Sequence, residues 1–314
     1  MFTLYDKSKI DKNNLMFENK ALYALLFPIV IEQLLNSFMG MVDTMMVSTI
    51  GSEAISAVSL VDSINNLVIQ VFAALAAGAA ILCSQYLGHG DKKLSNKTAK
   101  QVVLTVTLIS VFLVLIGLLL REKLLYFIFG QIESAVMENA LNYFLVTLLS
   151  YPFLALFQAG AAFFRASSNS KFPMKVSLIS NFLNIGGNAI FIYVFKWGVS
   201  GAALATLLSR IFCMLVVFIY LRKPKQDIVI ENYKIVPDMP LIWKILAIGI
   251  PSGIENGMFQ FGKLVIQSTV STMGTTAIAA QAMTNIMENV NGVFGVGVGI
   301  ALMTVAGQSF GAGR

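Results

Sequence analysis

Residues 21–50 read ALYALLFPIVIEQLLNSFMGMVDTMMVSTI, thirty positions with two charged side chains, Glu32 and Asp43. As a helix this stretch is about 45 Å long, against the ~30 Å hydrocarbon core of a bilayer. It is too long for the core of a signal peptide and shows no cleavage site, so it reads as a retained membrane helix. Seven similar blocks follow, at 56–87, 98–120, 137–163, 173–195, 200–221, 242–272 and 276–308. The fold class is therefore all-α, a polytopic transmembrane helical bundle of about eight spans. Several blocks exceed the minimum length, which predicts tilt, kinks or protruding ends. Pro28, Pro152, Pro173 and Pro251 are expected to kink or start helices.

Composition agrees with this reading. The chain is 57% apolar and 12% charged, with a mean hydropathy of +0.77; a soluble domain carries about 25% charged residues. The net charge of +6 does not indicate nucleic acid, because 17 of the 22 Lys and Arg fall in alternate connections. They are Lys7, Lys9, Lys12 and Lys20 in the tail; Lys92, Lys93, Lys97 and Lys100; Arg165, Lys171 and Lys175; Arg222, Lys223, Lys225, Lys234 and Lys244; and Arg314. The opposite connections hold Arg121, Lys123 and Lys196. The positive-inside rule then places the N-terminus in the cytoplasm, in a multi-pass protein of the plasma membrane whose first partners are membrane lipids. Cys83 and Cys213 sit in apolar blocks and read as inert thiols, and His89 stands alone in a connection.

A charged group inside a membrane costs about 2.5–3.5 kcal/mol or more, so intramembrane acids are functional candidates. The first span carries Glu32, Asn36 and Asp43; the two acids are eleven residues apart, which returns to nearly one helical face over about 16 Å. The fifth span sets Ser177, Asn181, Asn184 and Asn188 on one face, suited either to oxygen ligation of Na⁺ or to hydrogen bonding between packed helices. The seventh span repeats that spacing with Asn256, Gln260, Lys263 and Gln267, and Glu288 in the eighth is the candidate partner of Lys263. Asp62, Asn65 and Asn66 form a candidate cavity cluster. Tyr143 and Tyr151 lie on a mixed face that would hold flat cations by cation–π contact or serve packing. Arg210, mid-span, calls for a structural partner.

The chain also matches itself at an offset of 223, with 16 identities over 63 positions. Pro28, Ile31 and Glu32 recur as Pro251, Ile254 and Glu255, and Gln85, Gly88 and Gly90 recur as Gln308, Gly311 and Gly313. The repeat unit is six helices, an even number, which gives the parallel-repeat type of secondary transporter. The domains are then a tail (1–20), an N-lobe of six spans (21–222), a linker (223–241) and the start of a C-lobe (242–314). The second copy stops after two helices, so four more spans are expected beyond Arg314.

The motifs Gly40-Met-Val-Asp43-Thr44, Ser84-Gln85-Tyr-Leu-Gly88-His-Gly90-Asp91, Phe164-Arg165 through Pro173-Met174, Asn181-Phe-Leu-Asn184-Ile-Gly-Gly-Asn188 and Gly198-Val-Ser-Gly201-Ala202-Ala203 stand in an order that resembles multidrug and toxic compound extrusion (MATE) exporters. The resemblance implies two six-helix lobes around a central cavity. It also implies export of lipophilic, often cationic drugs and metabolites by antiport against Na⁺ or H⁺, with alternating access and no other cofactor. By the same resemblance, Asp43, Asn184, Asn188 and Thr206 match the N-lobe cation site, where a Na⁺ would sit. Asn188 stands where related members carry an aspartate, and Glu255 lies one turn nearer the start of its helix than the family's glutamate, so that role is not carried over to it.

Alternatives from other classes are a lipid or lipid-linked oligosaccharide flippase of the same superfamily, against which the acids of the first span argue, and a non-functional fragment of a transporter. An enzyme is not expected: the chain has no His-Glu-x-x-His, no Gly-x-Ser-x-Gly and no lysine-bearing phosphate loop. Gly295-Val-Gly297-Val-Gly299 follows no strand and reads as small residues for close helix approach. The substrate, the coupling ion and the oligomeric state are not legible in the residues.

Overall fold

A computed structural model describes residues 16–130, 132–232 and 235–313. Lys7, Lys9, Lys12, Lys234 and Arg314 therefore lie outside the described residues. Every regular element among the described residues is helical: α1 (Asn19–Ser48), α2 (Ser52–Gly88), α3 (Lys92–Phe129), α4 (Ser134–Leu149), α5 (Tyr151–Ala166), α6 (Lys171–Asn188) with a π-helical continuation (Ala189–Val194), α7 (Gly198–Leu221), α8 (Met239–Ser271) and α9 (Thr275–Gly311).

Six of these helices are long and apolar enough to cross a membrane, counting α6 with its π turn as one and only the second half of α9. The expected span 137–163 is two helices, α4 and α5, bent by 46° at Ser150; taken as one broken span they make seven. Pro152 accounts for the break, because it has no N–H to offer the carbonyl of Leu148 and its ring crowds that turn. The expected seventh span lies in α8, which is helical throughout but does not reach the same apolarity. Its row of Glu255, Asn256, Gln260, Lys263 and Gln267 dilutes it. Pro28 and Pro251 lie inside α1 and α8, and Pro173 in the first turn of α6.

The central element is α2, which packs against α3, α4, α5, α8 and α9. Its sequence suits that place: Ala54, Ala57, Leu60, Val61, Phe72, Ala79 and Cys83 are all buried, and the small residues let neighbours approach. Its last turn meets that of α9 in a reciprocal contact. A Cβ on Gly88 would run into the backbone of Gln308, and a Cβ on Gly311 into the backbone of Gln85. These are the two halves of the repeated Gln-x-x-Gly motif, so each copy receives the other. Beside this crossing, Leu25 and Ile29 of α1 pack on Ala301 of α9.

The basic residues expected in the connection after α2 are on the first turns of α3 itself; Asp91 caps it by accepting from Leu94 N–H at 2.9 Å. Those turns hold the connection between α7 and α8. Lys92 pairs with Asp227 at 2.7 Å, Asn96 Oδ1 accepts from Val229 N–H at 3.0 Å, and Gln101 both donates to the Val236 carbonyl (2.8 Å) and accepts from Asp238 N–H (3.1 Å). Ile228 and Ile230 are buried in the core. Asp238 pairs with Lys97 and also caps α8 through Leu241 N–H. Its carboxyl is held below the usual carboxylate range by the Lys97 ammonium, with the Leu241 N–H second. The connection is thus a strap fastened to α3.

Candidate functional site

The polar face of α6 lies along α1. Ser177 Oγ donates to Glu32 Oε1 (3.3 Å), Asn181 Nδ2 to the Leu35 carbonyl (3.2 Å), and Asn188 Nδ2 to Asp43 Oδ1 (2.5 Å). Asn184 completes the row. With its nitrogen turned toward the carboxylate it donates to Asp43 Oδ1 at 2.8 Å, and its oxygen accepts from the Thr206 hydroxyl (3.2 Å) and N–H (3.3 Å). The structure therefore brings Asp43, Asn184, Asn188 and Thr206 into one cluster, from α1, α6 and α7. Asn188 closes α6 where the π turn begins, a local rewinding of the kind found at functional positions. Asn188 Oδ1 is buried and has no hydrogen-bond partner.

Next to this cluster stands a second one. Asp62 Oδ1 accepts from Asn65 Nδ2 (3.0 Å) and from the Tyr143 hydroxyl (3.3 Å), and the Tyr151 hydroxyl donates to Asn65 Oδ1 (2.8 Å). Arg210, one helical turn beyond Thr206 on α7, donates to Ser150 Oγ at 2.5 Å, next to Tyr151 of the Asp62 network. The partner of Arg210 is thus a hydroxyl at the α4–α5 break. Tyr143 and Tyr151 are 7% and 1% exposed and use their hydroxyls inside this network, so they offer no open aromatic face. Asn66 is exposed and outside it; Asn65 occupies the inward position.

Glu32 is not part of either cluster. It is 2% exposed and its Oε1 accepts from Arg165 Nη2 at 2.8 Å. Arg165 belongs to the last turn of α5, not to a connection. Asn36 is exposed, so the three polar residues of α1 do not form one continuous lining. On the other side, Lys263 and Glu288 pair at 2.8 Å between α8 and α9, with the ammonium 5.0 Å from the Phe259 ring centre. Glu255 is exposed on α8, and Gln260 half-buried. Sequence reasoning missed the Arg165–Glu32 pair, although a buried acid implies a cation; among basic residues near helix ends, nothing local marked Arg165.

Apolar spans with a partly buried polar cluster between them define a multi-pass membrane protein of the helical-transporter class. The chain belongs to the MatE family, whose model matches residues 28–190 and 251–314. It is 27% identical over 302 residues to the probable multidrug resistance protein YoeA of Bacillus subtilis, covering 93% of this chain and 65% of that one. It is 26% identical over 312 residues to the probable multidrug resistance protein NorM of Thermotoga maritima, covering 98% and 67%. A solved MOP superfamily transporter from Pyrococcus furiosus shares the fold, with a TM-score of 0.85 at 23% identity over 93% of this chain and 65% of that one. The chain thus spans about two thirds of the length of these relatives, 65% in the case of YoeA.

Proposed function

We propose that this chain carries the cation-coupling lobe of an antiporter that exports lipophilic or cationic drugs and metabolites in exchange for Na⁺ or H⁺, across the plasma membrane. The basic end of the bundle faces the cytoplasm in this reading, as the positive-inside rule requires. Asp43 is the coupling group; Asn184, Asn188 and Thr206 orient it and supply neutral oxygens.

One observation carries the reading. Asn188 Oδ1 is a buried acceptor with nothing to accept from, beside a carboxylate already held by amide donors. Buried polar groups are nearly always paired, and an orphan calls for a ligand. A carboxylate, an amide oxygen and a hydroxyl form a hard-oxygen set that suits Na⁺; a proton would need Asp43 alone. The names of the Bacillus and Thermotoga relatives support multidrug export as the substrate class.

The residues act by differential binding. With Asp43 charged and empty, the cluster needs water. A bound cation neutralises Asp43, lifts the desolvation penalty and lets α1 and α6 close on each other. The cation drives transport only because it binds the two shapes unequally. The test is efflux of a fluorescent lipophilic cation from cells or inverted vesicles under imposed Na⁺ or pH gradients. Asp43→Asn is expected to abolish gradient dependence, and gradient-driven transport equal to wild type in that variant would remove the reading.

A further inference from the structure

Besides the Glu32–Arg165 ion pair, which is balanced in itself, two carboxylates and one guanidinium lie between the first six spans. Asp43 comes from α1, Asp62 from α2 and Arg210 from α7; Arg210 holds Ser150 Oγ, next to Tyr151, whose hydroxyl donates to Asn65, the amide that in turn donates to Asp62. Neither acid is in direct contact with it: the guanidinium is hydrogen-bonded to Ser150, and Asp62 is held by Asn65 and Tyr143. The remaining elements bring neutral groups: Asn184 and Asn188 from α6, Tyr143 from α4, Tyr151 from α5. The three charges therefore sum to a single negative charge. Both Thr206 and Arg210 lie in the stretch between the two segments matched by the family model.

We propose that Arg210 and Asp62 are positioning residues that set the ion stoichiometry of the Asp43 site at one monovalent cation. This rests on the reading of Asp43 as the coupling group. Arg210 balances Asp62, a fixed pair linked through Asn65, Tyr151 and the Ser150 turn, and leaves Asp43 as the one uncompensated charge. A largely desolvated compartment, with these side chains only partly exposed, tolerates a balanced set of charges better than an unbalanced one. One cation at Asp43 brings the compartment to neutrality and permits closure. A second cation would again leave it charged.

The test counts ions bound to the purified full chain in nanodiscs, reading ²²Na⁺ by scintillation proximity and proton uptake with an indicator dye. Wild type is expected to bind one cation per chain. Asp62→Asn makes the compartment neutral when empty and weakens binding about tenfold or more, as expected for a unit charge removed at close range in a partly wet site. Arg210→Gln raises the count to two, and Arg210→Lys keeps it at one. The double variant Asp62→Asn/Arg210→Gln returns to one cation at near wild-type affinity, which a merely structural role would not produce. Wild-type affinity in Asp62→Asn, or a double variant no better than Asp62→Asn, overturns the proposal while leaving Asp43 in place. Wild-type binding in Asp43→Asn overturns the coupling reading and this one with it.

Discussion

The Asn188 amide donates to Asp43 Oδ1 at 2.5 Å while its own oxygen, Oδ1, stays buried and unpaired. One end of the side chain thus positions the acid and the other awaits a ligand. Asn188→Ala removes both and is expected to weaken cation binding about tenfold, the value of roughly one charge-assisted hydrogen bond. Asn188→Asp adds a second carboxylate against Asp43; two acids that close cannot both stay charged and empty, and the extra unit of negative charge is expected to raise the bound count to two, one of them a proton. Both are read by ²²Na⁺ binding and proton uptake.

Glu32 and Arg165 form a buried ion pair, 2% and 14% exposed. Breaking such a pair from one side strands the other charge and costs about 3–5 kcal/mol. Glu32→Gln and Arg165→Met are each expected to lower thermal stability markedly in detergent, and the double variant to recover most of the loss. A double variant whose loss equals the sum of the two single losses would show that the pair is not coupled.

Much of this arrangement is legible in the sequence, and the boundary has physical causes. The Ser177–Asn181–Asn184–Asn188 face is a local periodicity, so a helix and its polar side follow from spacing alone. The pairing of that face with Asp43 involves residues 145 positions apart and was reached only through family resemblance. Arg165 reads as one more basic residue near a helix end, because nothing local distinguishes a charge turned inward from one turned to water. The break at Ser150 was signalled by Pro152, but its size depends on what packs there. The strap reads as a linker, since its prolines and charges are what exposed chain carries; its two buried isoleucines are too few to announce a docked segment.

At the crossing of α2 and α9 the backbones leave no room for a Cβ at Gly88 or Gly311. Gly88→Ala is expected to force the two helix ends apart, since the obstacle is main chain and cannot rotate away. Overpacking of this kind costs about 1–3 kcal/mol. Spin labels near the ends of α2 and α9 would report the separation, and Gly311→Ala should produce a shift of the same direction and similar size.

Asp238 holds the strap to Lys97 and caps α8, and its carboxyl is kept below the usual range. A depressed acid stabilises the folded form above its unfolded value, about pH 4, and loses that contribution as pH falls through the folded value. Hydrogen exchange at 236–241 is expected to be flat from neutral pH down to about 4 and to rise below it. Lys97→Met should bring the onset to higher pH by removing the first cause of the depression. An onset unmoved by Lys97→Met would assign the cap to Leu241 alone.

The exchange between Gly88 and Gln308, and between Gly311 and Gln85, has the form of a handshake: each partner offers the grip it accepts. Such self-complementarity belongs to two-fold dimers, in which one patch serves on both sides. A duplicated gene that fused its two products would inherit this contact ready-made, and a single unfused copy could satisfy it by finding its twin.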